Sequence, residues 1–214
     1  MWEPYYLDIL SDFGFDKEDD EHSARILSEL MKDKLQVSAK DLISIIAAKD
    51  IVVVGGSKDL DDELSEGVSG ERFIAADGTT SNLLAHDIIP DIIVTDLDGE
   101  IQDQIAANSK GALVAIHAHG DNIPQIEKWT PRFTGKVLGT AQCKPPSGLY
   151  NFGGFTDGDR GVFMAHHFGA GRIRLLGFDF ENVGDKPNCN KETKLEKLKW
   201  AKKLISLLGI SEGL

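Results

Sequence analysis

The stretch Asp91-Ile92-Ile93-Val94-Thr95-Asp96-Leu97-Asp98-Gly99 is a short run of mostly β-branched residues that ends in two carboxylates. Such a run is typical of a buried β-strand. If the backbone stays extended beyond it, residues two apart point the same way, so we expect Asp96 and Asp98 to face one cation. Ligands of parallel α/β sheets bind beyond the carboxyl ends of the strands. The stretch therefore predicts a buried strand that ends in a metal site for phosphate chemistry.

Similar β-prone runs occur along the rest of the chain and alternate with helix-compatible segments. This alternation predicts right-handed crossovers, and hence a mostly parallel sheet with helices on both faces. We expect an α/β fold of Rossmann-like architecture, with a long loop over residues 140–157, where Pro and Gly are frequent. The predicted strands are 51–54, 72–75, 92–94, 112–116, 136–138 and 173–176, and the predicted helices lie near 57–66, 79–87, 100–110, 121–128, 158–168 and 192–208.

The first 50 residues predict a small helical subdomain. Ser38 and Asp41 are spaced like a capping pair in front of an apolar, helix-compatible segment at residues 42–46. We therefore divide the chain into an N-terminal helical cap, residues 1–50, and a Rossmann-like domain, residues 51–214.

The bulk composition excludes several classes of protein. With 214 residues, of which 41% are hydrophobic and 27% charged, the chain suits one globular α/β unit. A formal net charge of −12 argues against nucleic-acid and anionic-membrane surfaces, because both require clustered cations. The two cysteines, Cys143 and Cys189, lack the spacing of a zinc finger.

The chain starts without the basic and apolar regions of a signal peptide, and no window approaches the roughly 18 apolar residues of a membrane span. We therefore expect a cytoplasmic protein whose partners are small molecules. The sequence leaves the oligomeric state open, a homo-oligomer included.

Acidic side chains follow several predicted strands at the same edge of the sheet. Asp77 follows the strand at 72–75, and Asp157 precedes the helix near 158–168. Each one alone is equally typical of a helix cap. Four carboxylates that converge on one edge would repel one another unless a cation joined them. We therefore predict a divalent-metal site formed by Asp77, Asp96, Asp98 and Asp157.

Two further segments suit a polyphosphate. Gly55-Gly56-Ser57 follows the first strand and opens a predicted helix, where backbone N–H groups bind phosphate, although a plain β-to-α turn looks the same. Lys194 and Lys197 lie one turn apart on the last predicted helix, either to reach one polyphosphate or as part of a solvated face.

The segment His117-Ala118-His119-Gly120-Asp121-Asn122 ends another strand at this edge. A His-x-His pair is found in transition-metal sites, but no third nitrogen or sulfur ligand is marked by spacing. We therefore favour hydrogen bonding to a polar heterocycle or to phosphate over zinc binding.

Six segments occur in a fixed order: Val52-Val-Val-Gly-Gly-Ser57, Ala75-Ala-Asp-Gly78, Pro90-Asp-Ile-Ile-Val-Thr-Asp-Leu-Asp98, His117-Ala-His-Gly-Asp-Asn122, Asn151-Phe-Gly-Gly-Phe-Thr-Asp-Gly-Asp-Arg160 and Gly177-Phe-Asp-Phe180. In order and spacing, they resemble the archaeal-type 6-hydroxymethyl-7,8-dihydropterin pyrophosphokinases over roughly residues 50–205. Three of them also resemble the more distant thiamine pyrophosphokinases, which usually carry Ser where this chain has Gly99.

The resemblance implies a Mg²⁺-dependent transfer of the terminal diphosphate of ATP to the pterin hydroxymethyl group, with release of AMP, on the route to folate or methanopterin-type cofactors. It implies metal and phosphate roles for the four aspartates, with Asp96, Asp98 and Asp157 catalytic. The implied acceptor-facing residues are His117, His119, Gly120, Asp121, Asn122 and Asn151. The expected nucleotide-binding residues are Gly55, Gly56, Ser57, Asp77, Gly78, Thr156, Arg160, Lys194 and Lys197.

Three alternatives stay open at this point. The acceptor is thiamine, or Asp96-Leu97-Asp98 is the metal-binding Asp-x-Asp of a nucleotide-sugar glycosyltransferase, or the protein is a non-catalytic nucleotide or metal sensor. The general base is also open between Asp121 and a metal-bound hydroxide.

Overall fold

The structure, a computed structural model, describes residues 2–183 and 190–210, so Cys189 lies outside the described residues. The strands are β1 (Asp50–Val54), β2 (Arg72–Ala76), β3 (Ile92–Thr95), β4 (Leu113–Ala118), β5 (Val137–Ala141), β6 (Leu149–Tyr150) and β7 (Arg172–Leu176). The helices are α1 (Glu3–Phe13), α2 (Lys17–Met31), α3 (Ala39–Ile46), α4 (Leu60–Ser65), α5 (Thr79–Ala85), α6 (Ile101–Ser109), α7 (Ile123–Trp129), α8 (Asp157–His167) and α9 (Lys191–Leu207). Within the described ranges, no helix is both long and apolar enough to cross a membrane.

The seven strands found in the described residues form one parallel sheet with the order β6-β5-β4-β3-β2-β1-β7. The prediction of a mostly parallel, Rossmann-like sheet is confirmed. The chain adds strands in one direction from β1 to β6 and then returns to place β7 on the other side of β1. The strand order thus reverses between β1 and β7, and such a reversal is where open α/β sheets form a ligand-binding crevice.

Alternate strand residues are buried against helices on opposite faces of the sheet. In β1, Val52 and Val54 pack in a cluster with α2, α4, α5, α6 and α7. Ile51 and Val53 pack instead in a cluster with α3, α8 and α9. This is the two-residue period of a strand that is covered on both sides, so the prediction of helices on both faces is confirmed.

Three local predictions differ from the structure. The predicted loop at 140–157 contains the short strand β6, in which Leu149 pairs with Gly139 of β5. A strand of two residues is too short to leave a periodic signal in the sequence. The helix expected from residue 57 begins only at Leu60, and the helix expected from residue 121 begins at Ile123.

The N-terminal helices pack against the sheet. Tyr6, Leu27 and Met31 belong to the same buried cluster as one face of the strands. The predicted cap of α3 is confirmed, because Ser38 Oγ accepts from Asp41 N and Asp41 Oδ2 accepts from Ser38 N. The division of the chain at residue 50 stays a prediction.

Helix α8 lies directly on the centre of the sheet because Gly161 has no side chain. A Cβ at this position would lie 3.1 Å from Ile74 Cγ2 and 3.1 Å from Val53 Cγ1. This close approach holds the start of α8, at Asp157, above the carboxyl ends of the central strands.

We predict that Gly161→Val lowers the free energy of unfolding by about 1–3 kcal/mol, because the added methyl groups overpack this contact. Urea unfolding, followed by circular dichroism, measures the change. The matched control is His166→Val on the exposed face of the same helix, which should shift the urea midpoint little. Equal midpoints for the two variants would contradict the tight packing of α8.

Candidate active site

Three carboxylates from separate parts of the chain meet at the carboxyl edge of the sheet. Asp77 follows β2, Asp96 follows β3, and Asp157 begins α8. One oxygen from each lies within 4.8 Å of the oxygens from the other two. Asp77 is only 6% exposed, and the other two are partly buried. A set of hard oxygen ligands at this spacing fits a divalent cation such as Mg²⁺.

The structure does not place Asp98 in this group of three. The extended backbone expected at this point is wrong, because β3 ends at Thr95 and Leu97 has a φ of 70°. Leu97 N donates to Thr95 Oγ1, and Asp98 N donates to Asp96 Oδ1 over 3.3 Å. This local turn leaves Asp98 exposed, although its charge still acts on Asp157. The catalytic and metal roles of Asp98 stay predictions.

Neutral donors hold Asp77 in place. Its Oδ1 accepts from Thr95 Oγ1 at 2.5 Å and from Gln104 Nε2 at 2.9 Å. A side chain at Gly99 would collide with Asp77 Oδ2. Gly99, where the thiamine enzymes usually carry Ser, therefore makes room for Asp77.

The close approach of the three carboxylates acts most clearly on the pKa of Asp157. Burial and the negative charge of Asp96 raise the pKa of Asp157 well above its ordinary value, with a smaller contribution from Asp77. The guanidinium of Arg160 acts in the opposite direction and donates through Nη1 to Asp157 Oδ1 at 3.2 Å. A cation among the three carboxylates would offset the same repulsion, which supports the fit of the site to a divalent metal.

His119 connects Asp96 to Asp121. Its Nε2 lies 3.3 Å from Asp96 Oδ2, and its Nδ1 lies 2.6 Å from Asp121 Oδ1. Although burial acts against the charged form, the hydrogen bonds to Asp121 and Asp96 raise the pKa of His119 to about 9. Burial also disfavours the charged form of Asp96, yet the hydrogen bond and charge of His119 lower the pKa of Asp96 to about 2. Asp96 is thus held ionised beside a protonated imidazole.

His117 is buried and neutral. Thr140 Oγ1 donates its proton to Ile116 O at 3.2 Å and therefore accepts from His117 Nδ1 at 3.0 Å. This tautomer leaves His117 Nε2 as an acceptor, and no described residue donates to it. Burial, followed by the charges of Arg160 and His119, holds the pKa of His117 well below its ordinary value, although the nearby Gln142 side chain acts in the opposite direction. Among the described residues, neither histidine joins a group of three metal ligands, so zinc binding gains no support.

The two predicted asparagines hold loops together. Asn122 Nδ2 donates to Asp96 O and His117 O, and its Oδ1 accepts from His119 N. Asn151 Nδ2 donates to two carbonyls of the chain after β5, Gln142 O and Cys143 O. Both amides thereby shape the edge of the site, and their contact with the acceptor stays a prediction.

The turn at Gly55-Gly56-Ser57 does not match the expected phosphate cradle. Gly55 N donates to Leu176 O, and Ser57 N donates to Gly177 O, both at 2.8 Å. Since the last residue of β7 and the residue after it accept from these N–H groups, only Gly56 keeps an amide without such a backbone partner in this turn. Ser57 instead lines a cavity of about 230 Å³ between the ends of β1 and β7. Its other lining residues are two aromatic, four acidic and one basic: Phe178, Phe180, Asp59, Glu63, Asp179, Glu181 and Lys202.

Of the remaining nucleotide candidates, Gly78 and Thr156 are the direct neighbours of Asp77 and Asp157. Gly78 follows Asp77 directly, and Thr156 caps α8 in a capping box with Asp159. On α9, Lys197 Nζ lies 5.9 Å from the centre of the Phe15 ring, and its charge contributes to a lowered pKa of Asp121, for which the hydrogen bond of His119 is the main cause. Lys194 is partly exposed on the same helix.

Sequence reasoning missed three polar residues that organise the site: Asp20, Gln142 and Asp159. Asp159 is fully buried and accepts from Thr156 N and Phe155 N. The spacing of Thr156 and Asp159 is a capping-box signal that identifies it. Asp20 gives no such signal, because it lies in the charged run at residues 17–21, which is typical of a solvated helix start.

Comparison with known proteins gives a consistent assignment. Residues 22–185 match the family model described as 6-hydroxymethylpterin diphosphokinase MptE-like. The chain is 40% identical to a 6-hydroxymethyl-7,8-dihydropterin pyrophosphokinase of Methanothermobacter thermautotrophicus, over 97% of this chain and 94% of that protein. It is 39% identical to the protein of the same name in Pyrococcus furiosus, over 97% of this chain and 92% of that protein. It is 36% identical to the protein of the same name in Methanocaldococcus jannaschii, over 97% of this chain and 94% of that protein.

Among solved structures, the MAf glycosyltransferase of Magnetospirillum magneticum AMB-1 has a similar fold, with a TM-score of 0.54 at 15% identity. The match covers 89% of this chain and 34% of the glycosyltransferase, so it concerns the fold alone. The family model and the three relatives are stronger evidence for the family, since the family model matches most of the chain and each relative matches 97% of it. The resemblance seen in the sequence is confirmed, and the chain belongs to the 6-hydroxymethylpterin diphosphokinase MptE-like family.

Proposed function

We propose that this protein is a cytoplasmic enzyme that transfers diphosphate from ATP to the hydroxymethyl group of 6-hydroxymethyl-7,8-dihydropterin and releases AMP, with Mg²⁺ as the required metal. One observation carries the proposal: in a member of this family, Asp77, Asp96 and Asp157 converge at the carboxyl edge of the sheet. The names of the three archaeal relatives support the same acceptor and reaction.

The three carboxylates would hold Mg²⁺. The negative charge of Asp98, which acts on Asp157, would add to the attraction for the cation. When bound, Mg²⁺ would neutralise negative charge on the transferred diphosphate. Asp77 is fixed by Thr95 and Gln104, so its carboxylate is oriented in advance. Such preorganisation spares the site a reorganisation cost during the reaction.

We place the nucleotide on the side of the site between β1 and β7. Phe178 is one wall of the cavity there, and its ring lies 3.0 Å from the position of a Cβ on Gly158, the residue after Asp157. The cavity is therefore adjacent to the carboxylates, as a nucleotide whose phosphates reach the metal would require. Arg160 and Lys197 supply positive charge on the far side of Asp157 and near Asp121.

We place the pterin on the side of β4 and β5, where His117 and His119 follow the strand. His117 Nε2 is an acceptor without a described donor, which suits an N–H group on the edge of a heterocycle. The chain then aligns the pterin hydroxyl with the β-phosphorus and the leaving AMP. No covalent enzyme intermediate is needed, because positioning and charge neutralisation suffice for this class of transfer.

We predict that Mg²⁺ raises the melting temperature of the wild-type protein, since it relieves repulsion among the carboxylates. At about 100 times Kd, the gain should be about 2.7 kcal/mol in the free energy of unfolding. The gain should be largely lost in Asp157→Asn and kept in Asp62→Asn, which removes a carboxylate from the exposed side of α4. Differential scanning calorimetry with and without Mg²⁺ measures it, and an undiminished shift in Asp157→Asn would contradict the metal assignment.

We predict that Asp96→Asn and Asp157→Asn each lower kcat by about 100-fold or more, because each removes a carboxylate that would hold the Mg²⁺ needed to neutralise the transferred diphosphate. The rate of AMP formation from ATP and the pterin measures this effect. Asp62→Asn again serves as the control. A variant of either site residue that keeps wild-type turnover would remove that residue from the catalytic assignment.

We predict that the purified protein releases AMP from ATP with the pterin alcohol and not with thiamine. Mass spectrometry should detect the pterin diphosphate in the same amount as AMP. AMP release with thiamine alone would assign a thiamine enzyme instead. Consumption of a CMP- or UDP-sugar would assign a glycosyltransferase, and ATP binding without AMP release with either alcohol would indicate a sensor.

A further inference from the structure

Asp20, in the first turn of α2, is a buried carboxylate that lies outside the residues matched by the family model. It is 2% exposed and accepts three hydrogen bonds. Oδ2 accepts from Tyr6 Oη at 2.7 Å and from Gln142 Nε2 at 2.8 Å. Oδ1 accepts from Gly120 N at 2.8 Å. Three donors on one carboxylate compensate the loss of water around its charge.

The carboxylate of Asp20 determines the direction of the Gln142 amide. Because Gln142 Nε2 donates to Asp20, Gln142 Oε1 faces Arg160 Nη2, from which it accepts at 3.2 Å. The reversed amide would set its oxygen against the carboxylate and its NH₂ group against the guanidinium. Both contacts would then be repulsive, because an ionised carboxylate only accepts and a guanidinium only donates.

Arg160 transmits this arrangement to the site. Its Nη2 donates to Gln142 and its Nη1 donates to Asp157, and only 8% of its surface is exposed. We propose that Asp20 is a positioning residue, which orients Gln142 and thereby holds Arg160 against Asp157. This inference rests on the proposed function, and it gives the N-terminal helices a part in the reaction.

A second contact from Asp20 reaches the segment that carries His119. Gly120 N donates to Asp20, and a Cβ on Gly120 would lie 2.8 Å from Asp19 Cβ, so only glycine allows this approach. Ser23, one turn further along α2, donates to Asn122 Oδ1 at 3.2 Å. Helix α2 thus contacts the His119 side of the site directly and is linked to Asp157 through Gln142 and Arg160.

The variant Asp20→Asn separates positioning from simple packing. Asn has nearly the same shape, but one of its two oxygens becomes a donor. If the remaining oxygen faces Gly120 N, the NH₂ group faces Gln142 Nε2, and two donors oppose each other. If the oxygen faces Gln142, the NH₂ group opposes Gly120 N instead. Asn therefore breaks one of the two contacts in either orientation.

A second substitution should restore the chain of contacts. In Asp20→Asn/Gln142→Glu, the NH₂ group of the new Asn donates to a carboxylate at position 142, and that carboxylate still accepts from Arg160. The remaining oxygen at position 20 stays with Gly120 N. The pair exchanges which side chain is charged. Tyr6 Oη, which donates to Asp20 Oδ2 in the wild type, turns its hydroxyl to accept from the second N–H of the new NH₂ group, so that every donor again faces an acceptor.

We expect Asp20→Asn to lower kcat for AMP formation by about tenfold or more, the effect of one hydrogen bond to a charged group. The double variant should return to within about threefold of wild type. The control Asp19→Asn removes an exposed carboxylate from the same turn and should change kcat by less than about twofold. Side-chain NMR of Arg160 supplies a readout apart from activity: its Nη–H groups should exchange quickly with water in Asp20→Asn and slowly in wild type and the double variant.

An Asp20→Asn protein with wild-type kcat and slow exchange at Arg160 would overturn the inference. A double variant as defective as Asp20→Asn, at equal melting temperature, would also overturn it, because a mere packing role is not restored by Gln142→Glu. If the wild-type protein forms no AMP, the proposed function fails, whereas the NMR comparison still decides whether Asp20 holds Arg160.

Discussion

The site depends on holding like charges close together in a largely buried place. Asp77, Asp96 and Asp157 approach one another closely. In the folded protein, repulsion between their negative charges disfavours the state in which all three are ionised. Each is supported in a different way: Asp77 by neutral donors, Asp96 by protonated His119, and Asp157 by Arg160. Burial and the negative charge of Asp96 raise the pKa of Asp157 well above its ordinary value, so repulsion among the carboxylates acts on this residue. A divalent ion would complete the compensation, which links the electrostatics of the fold to phosphate chemistry.

The parallel sheet brings these side chains together because its strands all end at one edge. Neighbouring strands β2 and β3 place Asp77 and Asp96 side by side, and β4 adds the histidine segment. Asp157 comes from the helical layer on one face of the sheet. It begins α8, which contacts the sheet closely at Gly161. The N-terminal helices then add Asp20 from the other face of the sheet. The site therefore draws on both layers, and no single segment of the chain could form it.

The sequence was sufficient for features that follow from periodicity and strand ends. The parallel sheet and its two covered faces follow from the β-prone runs. The meeting of Asp77, Asp96 and Asp157 follows from acidic residues at two strand ends and at the start of a helix. The sequence was insufficient where the local backbone decides. A positive φ at Leu97 leaves Asp98 outside the group of three carboxylates. The N–H groups of Gly55 and Ser57 donate to carbonyls at the end of β7 and directly after it.

Asp20 shows a second limit of sequence reasoning. Its burial results from α2 packing beside β5 and the segment after it, a contact between residues more than 100 positions apart. No local pattern distinguishes it from its exposed neighbour Asp19. Charged runs at helix starts hide such residues, and only tertiary packing separates the buried carboxylate from the solvated ones.

The most direct test of the central claim is a crystal structure with Mn²⁺ and a non-hydrolysable ATP analogue, with the metal located by anomalous scattering. The account predicts an anomalous peak coordinated by oxygens of Asp77, Asp96 and Asp157, with phosphate oxygens of the analogue on the same ion. A metal bound elsewhere, or nucleotide phosphates that stay away from these carboxylates, would contradict it.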